Sequence, residues 1–97
     1  MTVAWDPAKD RANRQKHGIA FDEASVLFKS GVAYVEIYDA SHSQFEDRFI
    51  AIGPIRRGLV LVVWTEQIED TVRMISARWA TKTELALYHE YLAGDKR

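Results

Sequence analysis

The sequence predicts an α+β domain in which an antiparallel meander of strands carries helices packed on it, in the order β-α-α-β-β-β-β-α. Three observations lead there. Residues 71–77 (Thr-Val-Arg-Met-Ile-Ser-Ala) alternate apolar and polar side chains, the period of a strand with one face in a core. Leu59 to Thr65 is an almost unbroken apolar run, the pattern of a central strand buried on both faces. Two sharp helix starts, Asp6-Pro7 and Thr81-Lys82-Thr83-Glu84, bracket the strand-rich middle.

Each element follows from local chemistry. Val3 to Trp5 forms a short opening strand. Asp6 accepts from the orphan N–H groups of a helix whose first residue, Pro7, has no N–H to leave unpaired. That helix runs to Lys16 or His17 and stops at Gly18, a residue free to turn left-handed. It is strongly polar, so Ala8 and Ala12 are its expected inward positions. A second helix, Asp22 to Phe28, sets Ala24, Leu27 and Phe28 at helical spacing from Phe21, and Gly31 closes the unit.

Ala33 to Tyr38 alternates as a strand, and Asp39 to Gln44 is a polar loop. A further strand is expected from Glu46 to Ile52, ended by Gly53-Pro54. Arg56-Arg57-Gly58 turns the chain into the apolar strand, and Glu66 to Asp70 turns it again. The last helix, Lys82 to Leu92, aligns Leu85, Tyr88 and Leu92 on one stripe, with Gly94 at its end. With 97 residues, 47% of them hydrophobic, the chain suits one domain spanning 1–97.

Composition excludes several classes. The absence of cysteine removes disulfides, thiolate metal sites and thiol nucleophiles. The histidines at 17, 42 and 89 have no metal-ligand spacing, so neither a metal nor a cofactor is expected. There is no apolar block near Met1, and the longest apolar run, Leu59 to Trp64, is too short to span a bilayer; the expected location is cytoplasmic. The net charge of −1 does not announce a nucleic-acid binder, but charge is blocked along the chain. Residues 1–20 carry +2, residues 21–47 carry −5, and residues 48–58 carry +3.

Four ordered groups of residues resemble the BrnT toxins of type II toxin–antitoxin systems. They are Trp5-Asp6 with Lys16-His17-Gly18; Phe21, Glu23-Ala24 and Phe28; Asp39, His42-Ser43, Glu46, Arg48 and Ile52-Gly53; and Arg73, Ile75-Ser76-Ala77-Arg78, Ala80, Glu84 and Tyr88. The resemblance covers residues 5 to about 91. It implies a small ribonuclease of RelE-like fold that cuts RNA and arrests translation. It also implies a partner, an antitoxin with a ribbon-helix-helix DNA-binding part. The sequence departs from the family pattern at Ala20, where Ser or Thr is frequent, so the second helix loses a cap of about 1 kcal/mol.

Metal-free RNA cleavage needs a group to deprotonate the ribose 2′-OH, cations for the phosphate, and an acid for the leaving oxygen. Arginine suits the phosphate because its planar fork meets two oxygens and stays charged. Arg73 and Arg78 are the first candidates. Strict alternation puts positions five apart on opposite faces, so a shared site requires the strand to bend. The competing reading pairs Arg73 with an acidic residue and Arg78 with carbonyls near the last helix.

His42, Glu46 and Arg48 form a second catalytic group, with Glu46 either orienting His42 or acting itself. Its bland counterpart is a loop histidine on a carbonyl beside a weak surface ion pair. Lys16 and His17 are candidate RNA contacts, although cations also simply complement a helix C-terminus. Trp79 could stack a base, or belong to the core or an antitoxin interface; Tyr88 reads as packing. Two other functions compete: a non-catalytic antitoxin-binding module, and a RelE-fold toxin acting on a protein such as gyrase. The sequence leaves open whether RNA is met free or on the ribosome.

Overall fold

In the computed structural model, which describes residues 1–68 and 70–94, five strands and three helices follow the expected order. The strands are β1 (Thr2–Ala4), β2 (Val35–Tyr38), β3 (Phe49–Ile55), β4 (Gly58–Gln67) and β5 (Thr71–Trp79). The helices are α1 (Pro7–His17), α2 (Phe21–Lys29) and α3 (Lys82–Gly94), with a short 3₁₀ turn at Ala40–His42. One sheet runs in the order β1-β5-β4-β3-β2. It is mixed rather than purely antiparallel, because β1 lies parallel to β5 with Thr2 opposite Thr71 and Ala4 opposite Arg73.

Both faces of the sheet are covered. α1 and α2 close one face over Ala51, Val60, Val62, Trp64, Val72, Met74 and Ala77, with Phe21, Ala24 and Leu27 as the helical contribution. On the other face α3 sets Tyr88 against Val35, Ile52 and Leu61. β4 is central and buried on both sides, as its apolar run requires.

The helix ends obey their caps. Asp6 accepts from the Ala8 N–H at 2.9 Å, and Gly18, at φ 72°, closes α1. Ala20 offers no side-chain cap to α2; Asp10 of α1 replaces it by accepting the Phe21 N–H at 2.8 Å. At α3 the capping box is complete: Glu84 N–H donates to Thr81 Oγ1 and Thr81 N–H to Glu84 Oε1.

Three local expectations are corrected. Ala8 and Ala12 are exposed, and the inward residue of α1 is the polar Asn13, 6% exposed. Glu46 does not begin a strand. The Ser43 hydroxyl accepts the Arg48 N–H and donates to the Asp39 carbonyl, while Thr65 Oγ1 donates to the Asp47 carbonyl, so residues 43–48 are held as a loop. Gly53-Pro54 does not end β3 but lies within it. Pro54 is tolerated because Leu59 opposite turns its carbonyl to Ala80, and β2 does not extend far enough to need an N–H at Pro54.

Gly53 is required by packing rather than by φ. A Cβ there would stand 2.5 Å from Leu27 Cδ1 and 2.8 Å from Tyr34 Cβ. Gly53→Ala is therefore expected to cost about 1–3 kcal/mol, measured by urea unfolding, through displacement of α2 from the sheet.

Candidate active site

The central geometric question is where β5 sends its arginines. Pairing with β4 jumps from Val63–Ser76 to Trp64–Met74, so Ile75 is an extra residue, a β-bulge. Beyond it Arg78 lies opposite Leu61, and before it Arg73 lies opposite Thr65. Leu61 and Thr65 are four apart on one strand and share a face, so both arginines project on the α3 side. The bulge supplies the bend that alternation alone lacks. Four residues of strand separate them by roughly 13 Å, so they address different phosphates of a chain rather than one.

Each guanidinium holds its own carboxylate. Arg73 Nη2 donates to Glu46 Oε1 at 3.0 Å and Oε2 at 2.9 Å. Arg78 grips Glu84 with two bonds of 2.8 Å and also donates to the Trp79 carbonyl. The pairs differ in rigidity. Glu84 is fixed twice over, by Arg78 and by the capping box, whereas Glu46 sits in an irregular loop and also faces Arg48 Nη2 at 3.7 Å.

Hydrogen bonds from Arg78 outweigh the cost of partial burial and, with the Thr81 N–H, pull the Glu84 carboxyl from 4.5 down to about 2. A carboxyl lowered on folding stabilises above its unfolded value and loses that stabilisation as pH falls through its folded one. Melting temperature is thus expected to fall between about pH 4.5 and about pH 2, and Glu84→Gln to remove this part of the dependence in thermal scans.

His42 is oriented by Asp39, not by Glu46. Its Nδ1 lies 2.9 Å from Asp39 Oδ2, and Ser41 Oγ bridges the two, donating to Asp39 Oδ1 at 2.9 Å. Burial pushes the Asp39 carboxyl up, but hydrogen bonds from Ser41 and His42 outweigh it and hold it below the ordinary range. With Nδ1–H assigned to Asp39, Nε2 keeps a lone pair for a proton. His42, Ser41, Gln44, Phe45 and Arg48 line an open hollow of about 370 Å³. Phe45 is 99% exposed at its lip, and Arg48 Nε is buried without a partner among the described residues. Glu46 thus joins Arg73 to Arg48, and Arg48 shares its hollow with His42, whose carboxylate partner is Asp39.

Lys16 and His17 stand elsewhere, in a groove of about 300 Å³ with Lys9, Ala12, Asn13 and the bulge residues Ile75 and Ser76. β1 reaches only as far as Arg73, so the outer edge of β5 beyond it is unpaired by any strand. Asn13 takes the place of a strand there. It donates to the Ala77 carbonyl at 2.8 Å and accepts the Ala77 N–H at 3.0 Å.

Trp79, 36% exposed, carries Arg57 over its ring at 5.0 Å. Arg57 also grips Glu23 and the Gly18 carbonyl, tying the β3–β4 turn to the α1–α2 junction. Asp39, Phe45 and Arg57 were not among the site residues expected from sequence; Asp39 stood only in the motif that carries the family likeness, and its spacing to His42 is a second signal.

This geometry defines a small α+β protein with two arginines on one face of a sheet and a histidine–aspartate pair in the loop after β2. The profile of the family described as "Ribonuclease toxin, BrnT, of type II toxin-antitoxin system" matches residues 5–84. The chain belongs to that family of BrnT toxins. Among solved structures it is similar to the Brucella abortus ribonuclease toxin BrnT, with a TM-score of 0.66 and 25% identity, covering 84% of this chain and 99% of that one. No curated protein sequence matches this chain. Membership of a type II system implies an antitoxin partner. Among the described residues no helix is long and apolar enough to cross a membrane.

Proposed function

We propose that the chain cleaves RNA without a metal ion and so inhibits translation in the cytoplasm, until a ribbon-helix-helix antitoxin covers it. The observation that carries this reading is the position of Glu46, a carboxylate lying between the guanidiniums of Arg73 and Arg48, with Arg48 lining the same hollow as His42. A phosphodiester presents the same planar pair of oxygens to arginine and can displace a loop carboxylate.

In the proposed reaction Arg73 and Arg48 neutralise the scissile phosphate. His42 and the displaced Glu46 are the two proton-transfer groups. One takes the 2′-OH proton as O2′ bonds to phosphorus; the other gives a proton to the 5′-oxygen as the P–O5′ bond breaks. A 2′,3′-cyclic phosphate and a free 5′-OH result. Arg78 meets a neighbouring phosphate on the same face. Lys16 and His17 bind the backbone along the bulged edge of β5, and Trp79 stacks a base on the ring face left by Arg57.

The arginine–carboxylate pairs also favour a second reading, a non-catalytic module that keeps this surface only to hold its antitoxin. RNA cleavage by the purified chain in chelator separates the two. Products that vanish in His42→Ala, with melting unchanged, are expected; intact RNA with folded chain favours the module. Inhibition of DNA supercoiling with untouched RNA would instead indicate a protein target such as gyrase.

A further inference from the structure

The two edges of the sheet are guarded very differently. The β5 edge is covered by β1 and then by the Asn13 side chain. The β2 edge, Val35–Tyr38, is short and carries one charge, Glu36, but no proline, lysine or bulge turns a further strand away. Its open groups can be identified. Asp39 N–H donates to the Arg48 carbonyl, and the pairs Ile37–Ile50 and Val35–Ile52 continue that register. By the alternation of an antiparallel ladder, Val35 and Ile37 turn their backbone groups to β3, and Glu36 and Tyr38 turn theirs outward.

The side chains around this edge describe what would fit it. On the α3 face Ile37 is 37% exposed, while Val35 beside it is buried. On the other face Glu36 is exposed, and Tyr38, half exposed, donates to Asp47 Oδ1 at 3.0 Å. Between Val35 and Arg48 the chain has Glu36, Asp39, Glu46 and Asp47 against a single arginine, which itself faces Glu46. Two such edges brought together would set these acids against each other, so a second copy is disfavoured.

We infer that β2 is a docking edge for a basic, extended segment of the antitoxin, which adds as a sixth strand. Its backbone bonds to Glu36 and Tyr38; its apolar side chains lie beside Ile37 and its lysines or arginines beside Glu36 and Asp47. This rests on the reading that the chain pairs with an antitoxin. It places one contact away from Arg73 and Arg78, so neutralisation does not require every antitoxin contact to sit on the proposed catalytic groups.

The test is residue-resolved amide exchange by NMR, on the chain alone and on the complex purified after co-expression with a ribbon-helix-helix antitoxin encoded beside it, if the proposed pairing holds. Alone, the Glu36 and Tyr38 amides should exchange fast and the Ile37 amide slowly. In the complex both outward amides should slow by on the order of 100-fold. Glu36→Lys should weaken the complex by about tenfold at low salt while leaving the melting temperature of the free chain unchanged. A stable complex with Glu36 and Tyr38 still exchanging fast overturns the inference and leaves the antitoxin reading intact. Protection of those amides in the chain alone, rising with its concentration, overturns it in favour of a second copy. No complex at all removes the antitoxin reading and this inference with it.

Discussion

Arg73→Ala is expected to reduce RNA cleavage by on the order of 100-fold or more, the usual consequence of removing one preorganised donor from a charged transition state. The fold should barely notice. Arg73 is 27% exposed and Glu46 38% exposed. Half-exposed ion pairs of that kind contribute about 0–1 kcal/mol. Glu46 would retain Arg48, and Thr65 opposite Arg73 would keep its own bond to the Asp47 carbonyl. Activity loss therefore exceeds stability loss in energy terms, and the two are separable by pairing cleavage rates with melting curves. Arg73→Lys tests geometry apart from charge: a point charge replaces the fork, and a loss of roughly tenfold is expected. If Arg73→Ala cleaves as well as the parent, the phosphate is not met at Glu46.

Asn13→Ala is expected to have the largest effect on stability. The Asn13 amide satisfies the Ile19 carbonyl and both backbone groups of Ala77, at 2.8–3.0 Å, from a side chain almost wholly buried. Alanine leaves those groups without partners in a dry place, at about 3 kcal/mol in all. For a domain near this size that lowers the melting temperature by roughly 12–24 °C. The cost has a functional side, because the released edge belongs to β5 and positions both arginines. Unchanged melting would mean that water replaces Asn13 freely, and that the β5 edge is held by α1 packing alone.

Particular residues show how much of this was legible. The caps at Asp6, Gly18 and Thr81–Glu84 are local chemistry, and the structure has them where the sequence puts them. The β4 core run reads equally directly. The parallel pairing of β1 does not, since three residues carry no signal of direction. Ala8 and Ala12 looked inward because they are apolar, but Asn13 is the residue whose hydrogen-bonding capacity the β5 edge needs. Glu46 looked like a strand start by alternation, and the Ser43 hydroxyl removes it from the ladder.

Legibility of the candidate site divides the same way. Arg73, Arg78, His42, Glu46 and Arg48 could be named from chemistry and family likeness. That Arg73 and Arg78 share a face could not be, because it depends on the extra residue at Ile75, and bulges have no compositional mark. Their carboxylate partners divide too. Glu84 was visible as a capping residue three positions from Thr81, whereas Glu46 lies 27 positions from Arg73 and meets it only through the fold.

The most direct measurement is end-group analysis of RNA incubated with the purified, antitoxin-free chain in excess chelator. The proposal predicts fragments with 2′,3′-cyclic phosphate and 5′-hydroxyl ends, formed by the parent chain and lost in Arg73→Ala. Uncut RNA beside a folded chain, or fragments bearing 5′-phosphates, would contradict it.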